Sequence, residues 1–228
     1  VKEGNISNSA EYHGEFNAEA IAGYTNSFKD GLLNVDAFVG WNTMASWSDV
    51  TSSYGDNFVV PGFNTINNTK TKSGGHSTSE SYINSLFGQA EISYRSMVYL
   101  TLTGRNDWFS ALSYQGKTSP NHIFYPSVGL GFILSEAIQM PDWFPFLKLR
   151  GSWAQSGGGV GAYQLGLTYS YSDAYKKYPV GSIDGSTIPN LNLKPLTSIS
   201  YEGGFEARFF NNRFGIDFTY YVRNTKDD

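Results

Sequence analysis

The chain is 228 residues long, with equal aromatic and charged fractions of 16%, a net charge of −4 and no cysteine. That composition excludes a disulfide scaffold, a cysteine-ligated zinc site and a thiol nucleophile, and it lacks the basic excess of a nucleic-acid binder. Few charges with a mean hydropathy of −0.33 leave Ser, Thr, Asn and Gly to carry the polarity, a mixture suited to strands and turns rather than helices.

Taken in chain order, apolar and polar positions alternate with a period of two in eight places. Ala18, Ala20, Ala22 and Tyr24 begin the series, and Leu33, Val35, Ala37, Val39 and Trp41 follow. Tyr82, Leu86, Ala90, Ile92 and Tyr94 oppose Ser85, Gln89, Glu91 and Arg95. Val98, Leu100 and Leu102 oppose Thr101, Thr103 and Arg105. Phe124, Val128, Leu130, Phe132 and Leu134 form the fifth, and Leu147, Leu149 and Trp153 the sixth, opposite Lys148, Arg150 and Ser152. Ile199, Tyr201, Phe205 and Phe209 oppose Glu202, Glu206 and Arg208; Phe214, Ile216, Phe218, Tyr220 and Val222 oppose Asp217 and Arg223. Each is read as a strand with one apolar, uncharged face and one polar face.

Length and connection pattern then separate a membrane barrel from a soluble sandwich. Runs of about 10–13 residues exceed the usual strand of about 5–6 and suffice, when tilted, to cross an apolar band of ~25 Å. Tight turns are expected at Phe28-Lys29-Asp30-Gly31, Tyr94-Arg95-Ser96-Met97 and Phe210-Asn211-Asn212-Arg213, with a modest connection at 135–145. Long loops are expected at 46–79, 106–123 and 156–197. Short turns at one end and long loops at the other are the bacterial outer-membrane pattern. Trp41, Trp47 and Trp108 fall near the long-loop ends, and Tyr94, Phe209 and Phe210 near the tight turns, as an interface belt would require.

Ordered motifs add a resemblance. Leu100 to Trp108 read LTLTGRNDW, Phe124-Tyr125-Pro126-Ser127-Val128 follows, and then comes FLKLRGSWAQ from Phe146 to Gln155. IPNLNLKP runs from Ile188 to Pro195, Phe209-Phe210-Asn211-Asn212-Arg213-Phe214-Gly215 comes next, and Thr219-Tyr220-Tyr221 and Asn224-Thr225-Lys226-Asp227 close the series. In order and spacing these resemble the SusC/RagA family of TonB-dependent outer-membrane transporters of Bacteroidetes. The likeness is strong from 83 to 228, weaker from 15 to 40, and confined to Val60-Pro61-Gly62-Phe63 within 46–79. It implies an all-β, antiparallel transmembrane barrel segment, about eight strands of a larger, plugged barrel of about 22. Residues 1–228 are accordingly expected to be part of the barrel domain, with plug, signal sequence, TonB box and remaining strands elsewhere. It further implies import of oligosaccharides or peptides, a SusD-like surface lipoprotein as lid, the TonB complex acting through the plug, and contact with outer-membrane lipid and lipopolysaccharide. A dimer of transporter–lid pairs is compatible with it.

No motif points to catalysis, a cofactor or a metal. Ala111 to Thr118 fits a relaxed phosphate loop, but Pro120 follows and no helical period does. Gly157-Gly158-Gly159-Val160-Gly161 is glycine-rich but opens no helix. His13, His76 and His122 are read as isolated loop histidines. Asp107 in Arg105-Asn106-Asp107-Trp108 is either an acceptor for substrate or the partner of Arg105. The charged face is expected to line a lumen: Leu100, Leu130, Ile216 and Phe218 face lipid, whereas Arg105, Arg150, Glu206 and Asp217 face inward. Trp47, Tyr54, Trp108, Tyr114, Tyr169 and Tyr171 are the expected contacts to substrate or lid, since aromatic rings among Gly, Ser and Asn offer stacking and adaptable hydrogen bonds. The competing reading is a soluble β-rich adhesin or glycan-binding domain that uses the same loop aromatics.

Overall fold

Three tight turns set the strand order. Arg95 and Ser96 both adopt left-handed backbone (φ 51° and 55°), the signature of the mirror-image turn that matches strand twist. The Met97 N–H donates to the Tyr94 carbonyl at 3.0 Å and closes it. Lys29, Asp30 and Gly31 (φ 51°, 56° and 89°) and Phe210, Asn211 and Asn212 (52°, 54° and 65°) reverse the chain in the same way. Asp, Asn and Gly accept this region readily, whereas Phe210 occupies it against its intrinsic preference.

The computed structural model describes residues 4–114, 120–159, 161–167, 169–175, 178–183, 189–190 and 192–226. Its strands are β1 (Asn5–Phe28), β2 (Leu33–Phe58), β3 (Thr69–Tyr94), β4 (Val98–Phe109), β5 (His122–Ile133), β6 (Phe146–Gly158), β7 (Tyr169–Tyr175), β8 (Tyr178–Ile183), β9 (Leu196–Phe209) and β10 (Phe214–Lys226). All eight expected strands are present and form one sheet in the order β1-β2-β3-β4-β5-β6-β9-β10, while β7 and β8 pair only with each other. The expected loop at 46–79 is a different matter. β2 continues to Phe58 and β3 starts at Thr69, so the true connection is 59–68. Strands of 24–26 residues carry polar side chains on both faces in these stretches, as in Lys70-Thr71-Lys72-Ser73. With neither face apolar, the backbone ladder persists without any alternation to announce it. The expected loop at 156–197 likewise holds the β7–β8 hairpin, and that at 106–123 narrows to the link between Phe109 and His122.

The chain divides into two units. In the first, Val1–Asn17 with Met44–Tyr82, the Trp47 indole lies against the Gly14 backbone, where an added Cβ would come within 2.2 Å of the ring. Asn68 clamps the 59–68 connection: its Nδ2 donates to the carbonyls of Val60 (2.8 Å) and Phe63 (2.7 Å), and its Oδ1 accepts from the Val60 N–H (3.0 Å). Because Asn68 is buried, Asn68→Ala is expected to cost about 1–3 kcal/mol. The Val60 amide should then exchange with solvent faster, read by hydrogen exchange; unchanged protection would assign the loop's order to something else.

The second unit, Ala18–Thr43 with Ile83–Asp228, has a strict register that defines two faces, because residues directly opposite each other point to the same side. Ile92, Leu100, Leu130, Gly151, Gly203 and Tyr220 form one row, and Ala90, Leu102, Val128, Trp153, Tyr201 and Val222 the next. On the opposite face run Glu91, Thr101, Gly129, Ser152, Glu202 and Tyr221, and beside them Gly131, Arg150, Gly204 and Thr219. Leu100, Leu130, Ile216 and Phe218 thus share the uncharged face, and Arg105, Arg150, Glu206 and Asp217 share the charged one, as the alternation predicted. Few apolar side chains are buried: among the described residues they are Phe109, Leu112, Leu165 and Ala207. Leu130 and Phe218 remain 55% and 52% exposed. Among the described residues no protein layer covers the uncharged face.

Candidate functional site

The charged face of the second unit carries two networks. On β4, Arg105 Nε donates to Asp107 Oδ1 at 2.6 Å, and Nη2 donates to Ser85 Oγ of β3 at 2.7 Å. Arg105 and Asp107 can meet because residues two apart on a strand share a face. The guanidinium also lies over the Phe87 ring, 5.5 Å from its centroid, and Phe87 covers Gly40 of β2, where a Cβ would meet the ring at 2.4 Å. Asp107 is 9% exposed and Ser85 fully buried. Asp107 is therefore the structural partner of Arg105. Arg105→Met would leave that carboxylate without its cation and is expected to cost about 1–3 kcal/mol. Asp107→Asn, which keeps an acceptor for Nε, should cost less. Denaturant unfolding of the full-length protein in bilayers checks the order, and equal losses would show that charge is irrelevant to the contact.

The second network spans three strands. Arg150 on β6 reaches across β9 to β10, where Nη1 donates to Asp217 Oδ2 at 3.2 Å and Nη2 donates to Asp217 Oδ1 and to Thr219 Oγ1. Gly204 of β9 lies beneath it. An added Cβ would stand 2.4 Å from the Phe218 carbonyl oxygen and 3.2 Å from Arg150 Nε. Arg208 turns back onto Glu206, with Nη2 to Oε1 at 2.8 Å. Next to this clamp a concavity of about 560 Å³ is lined by Glu91, Tyr99, Thr101, Lys148, Glu202 and the glycines 129 and 131, among others. At Gly129 and Gly131 a Cβ would meet nothing nearer than 3.6 Å, so these glycines keep the floor open rather than relieve a clash. The side chains of Glu91, Lys148 and Glu202 make no hydrogen bond or ion pair among the described residues, which leaves both signs of charge at the rim.

The six aromatics expected to meet substrate or lid divide between the units, Trp47 and Tyr54 in the first and Trp108, Tyr114, Tyr169 and Tyr171 in the second. Trp47 and Tyr54 lie on β2 rather than in a loop, with one side of the Trp47 indole already used by Gly14. Trp108, on β4, belongs to the uncharged face and sits near His122 with ring centroids 6.3 Å apart, a placement suited to an interface belt. Tyr114 follows the 3-10 turn Ser110–Leu112 and is exposed. Tyr169 is exposed at the start of β7, and Tyr171 follows two positions on, its side chain outside the described residues.

Other motifs acquire structural roles. Gly157 and Gly158 end β6, and a Cβ at 157 would strike the Tyr125 ring at 2.5 Å and the Leu196 carbonyl oxygen at 2.7 Å. Close packing, not a phosphate, explains that glycine. Val160 and residues 115–118 of the Ala111 to Thr118 motif lie outside the described residues. His13, His76 and His122 stand on strands rather than in loops, because these strands outrun their alternating portions. His76 contacts Asp49 at 3.1 Å, and His13 contacts Glu11 at 3.0 Å. Sequence reasoning missed Ser85, Phe87 and Gly204. Only the pairing partner across the sheet reveals them.

A single antiparallel sheet with one bare apolar face and one charged face is the wall of a membrane barrel. Across residues 3–228 the chain matches the family described as TonB dependent receptor-like, beta-barrel, and it belongs to that family. TonB-dependent receptor P26 of Formosa agariphila is 31% identical over 149 residues, and TonB-dependent receptor P3 of the same organism is 27% identical over 162. Each match covers 64% of this chain and 15% of the relative, so the chain spans a small part of those proteins. Among solved structures, that of the RagAB peptide transporter superposes with a TM-score of 0.83 at 22% identity, over 97% of this chain and 24% of that one. The RagAB peptide importer in its open-open state gives 0.79 at 23%, with the same coverage. These likenesses bear out the SusC/RagA-like barrel segment read from the motifs. The chain is part of an outer-membrane β-barrel protein of the TonB-dependent receptor-like family.

Proposed function

We propose that residues 1–228 form part of the transmembrane barrel domain of a TonB-dependent importer that takes up oligosaccharides or peptides with a SusD-like surface lipoprotein. The observation that carries this reading is the division of the sheet in the second unit. Leu100, Leu130, Ile216 and Phe218 stand uncovered on a face without charge, while Arg105, Arg150, Glu206 and Asp217 occupy the other. The first face seals against lipid; the second lines an aqueous lumen. A soluble adhesin would leave the apolar face in water, where a patch of that extent drives association. In the second unit the connections after β4 and β6 open toward the cell exterior, where Tyr114, Tyr169 and Tyr171 meet cargo or lid and Trp108 serves the outer belt. In the first unit Trp47 and Tyr54, on β2, are offered to cargo or lid in the same way. TonB acts through parts of the protein beyond this segment. The test is made on the full-length protein in its host. It should sediment with outer membranes, require detergent for extraction, and co-purify with a surface lipoprotein. Loss of the gene should abolish uptake of a labelled oligosaccharide or peptide. Recovery in the soluble fraction without detergent would overturn the proposal.

A further inference from the structure

A strand at the edge of a sheet turns every second backbone N–H and C=O away from the ladder, and such an edge accepts another extended chain. The edges of β1 and β10 depend on strands outside residues 1–228. A third edge is decided within the chain. β3 begins at Thr69, but its register with β4 starts only at Ile83↔Phe109 and ends at Tyr94↔Val98. Residues 69–82 therefore have no strand on that side among the described residues. They lie wholly in the first unit, and residues 70–78 are all exposed. β2 holds them from the other side. Ser46 Oγ and Ser81 Oγ hydrogen-bond at 2.7 Å, His76 Nε2 lies 3.1 Å from both Asp49 carboxylate oxygens, and Ser52 Oγ donates to the Gly75 carbonyl at 3.5 Å. A Cβ added at Gly74 or at Gly75 would meet only Ser52 of β2 within 4 Å. Adjacent residues point to opposite faces, so neither face is crowded there.

Hydrogen bonds at the start of the ladder fix which residues point outward. The Arg95 N–H donates to the Leu32 carbonyl and the Met97 N–H to the Tyr94 carbonyl, so odd-numbered residues of β3 bond toward β2 and even-numbered ones toward β4. Counting by twos, Gly74, His76 and Thr78 turn their N–H and C=O to the open side. The side chains beside them choose the occupant. From Lys70 to Ser81 there is no apolar residue. A dedicated protein partner needs a desolvated apolar or aromatic anchor, and this edge supplies none. An oligosaccharide has no alternating N–H and C=O with which to continue the ladder. Lys70, Lys72 and Glu80 share one face, being even numbers of residues apart, with both cations at one end and the carboxylate at the other. Lys72 to Glu80 spans ~26 Å, the length of about eight extended residues. A short peptide matches that polarity when it runs antiparallel to β3, its amine toward Glu80 and its carboxylate toward Lys72. We propose that the β3 edge between Lys72 and Glu80 binds such a peptide as an added antiparallel strand. The inference rests on the importer reading and selects peptide over oligosaccharide as its cargo. The small Ser, Thr and Gly side chains along the edge form no pockets, so recognition falls on the backbone and tolerates cargo of many sequences.

The test is calorimetric titration of the full-length protein in nanodiscs with an octapeptide of alternating serine and threonine, free at both ends. Thr78→Pro removes an outward N–H where an edge strand tolerates proline. It is expected to weaken binding about tenfold or more, with the unfolding midpoint unchanged. The octapeptide with alternate amides N-methylated, or with both ends capped, should also bind the wild type more weakly. Where Thr78→Pro does not insert, hydrogen exchange in the wild type replaces it: the octapeptide should slow exchange at Gly74, His76 and Thr78. Equal binding by Thr78→Pro, equal binding of the N-methylated peptide, or no slowing at those three amides overturns the inference. So does slowing by a neutral hexasaccharide or by the co-purified lipoprotein in place of the peptide. Fractionation separates the two readings. A membrane-inserted protein whose β3 amides ignore the peptide sinks only the edge, and a protein recovered without detergent sinks the importer reading itself.

Discussion

Leu130→Arg is expected to destabilise the membrane-inserted protein by about 2–4 kcal/mol, the cost of a guanidinium on the lipid face near the bilayer midplane. Leu130 lies in the middle of β5, between Leu100 of β4 and Gly151 of β6 in register, and is 55% exposed with no charge in its row. Ile216→Arg on β10 should suffer in the same direction for the same reason. The informative control is Thr101→Arg. Thr101 faces the other way and is the register partner of Glu91, so the new cation meets water and an opposite charge, and little change is expected. Denaturant unfolding of the full-length protein in bilayers reads both. If Thr101→Arg were the damaging change and Leu130→Arg the silent one, the faces would be assigned the wrong way round, and the importer reading would fall with them.

Gly204→Ala is expected to be nearly as harmful, although it adds a single methyl group. The new Cβ would stand 2.4 Å from the Phe218 carbonyl oxygen, a backbone atom that moves only if β9 and β10 part locally. It would also stand 3.2 Å from Arg150 Nε and from Thr219 Oγ1, in the path of the guanidinium that joins β6 to β10. Overpacking of this kind costs about 1–3 kcal/mol. The same substitution at Gly203, where nothing lies within 4 Å of the added Cβ, should be close to neutral. Comparing the two neighbours removes any general effect of replacing a strand glycine. Equal unfolding midpoints for the two variants would show that the clamp tolerates displacement.

Alternation carried the five strands β4, β5, β6, β9 and β10 almost to their ends, because each has one face that must meet lipid and one that need not. The class of protein was legible for the same reason: strands of 12–14 residues with an uncharged face need a membrane rather than a second layer. The Arg105–Asp107 pair could also be read directly, since two residues apart on a strand is a fixed geometry. Tertiary structure alone decided the rest. In the first unit, the β2 and β3 residues from Met44 to Phe58 and from Thr69 to Tyr82 are strand with polar side chains on both faces, held by backbone ladders that leave no trace in hydropathy. The pairing of β6 with β9, past the β7–β8 hairpin, places Arg150 over Gly204 and within reach of Asp217, 67 positions away in sequence. It also sets Phe209 beneath Phe144. Those contacts depend on which strands become neighbours, and neighbour choice is a property of the whole hydrogen-bond ladder rather than of any one segment.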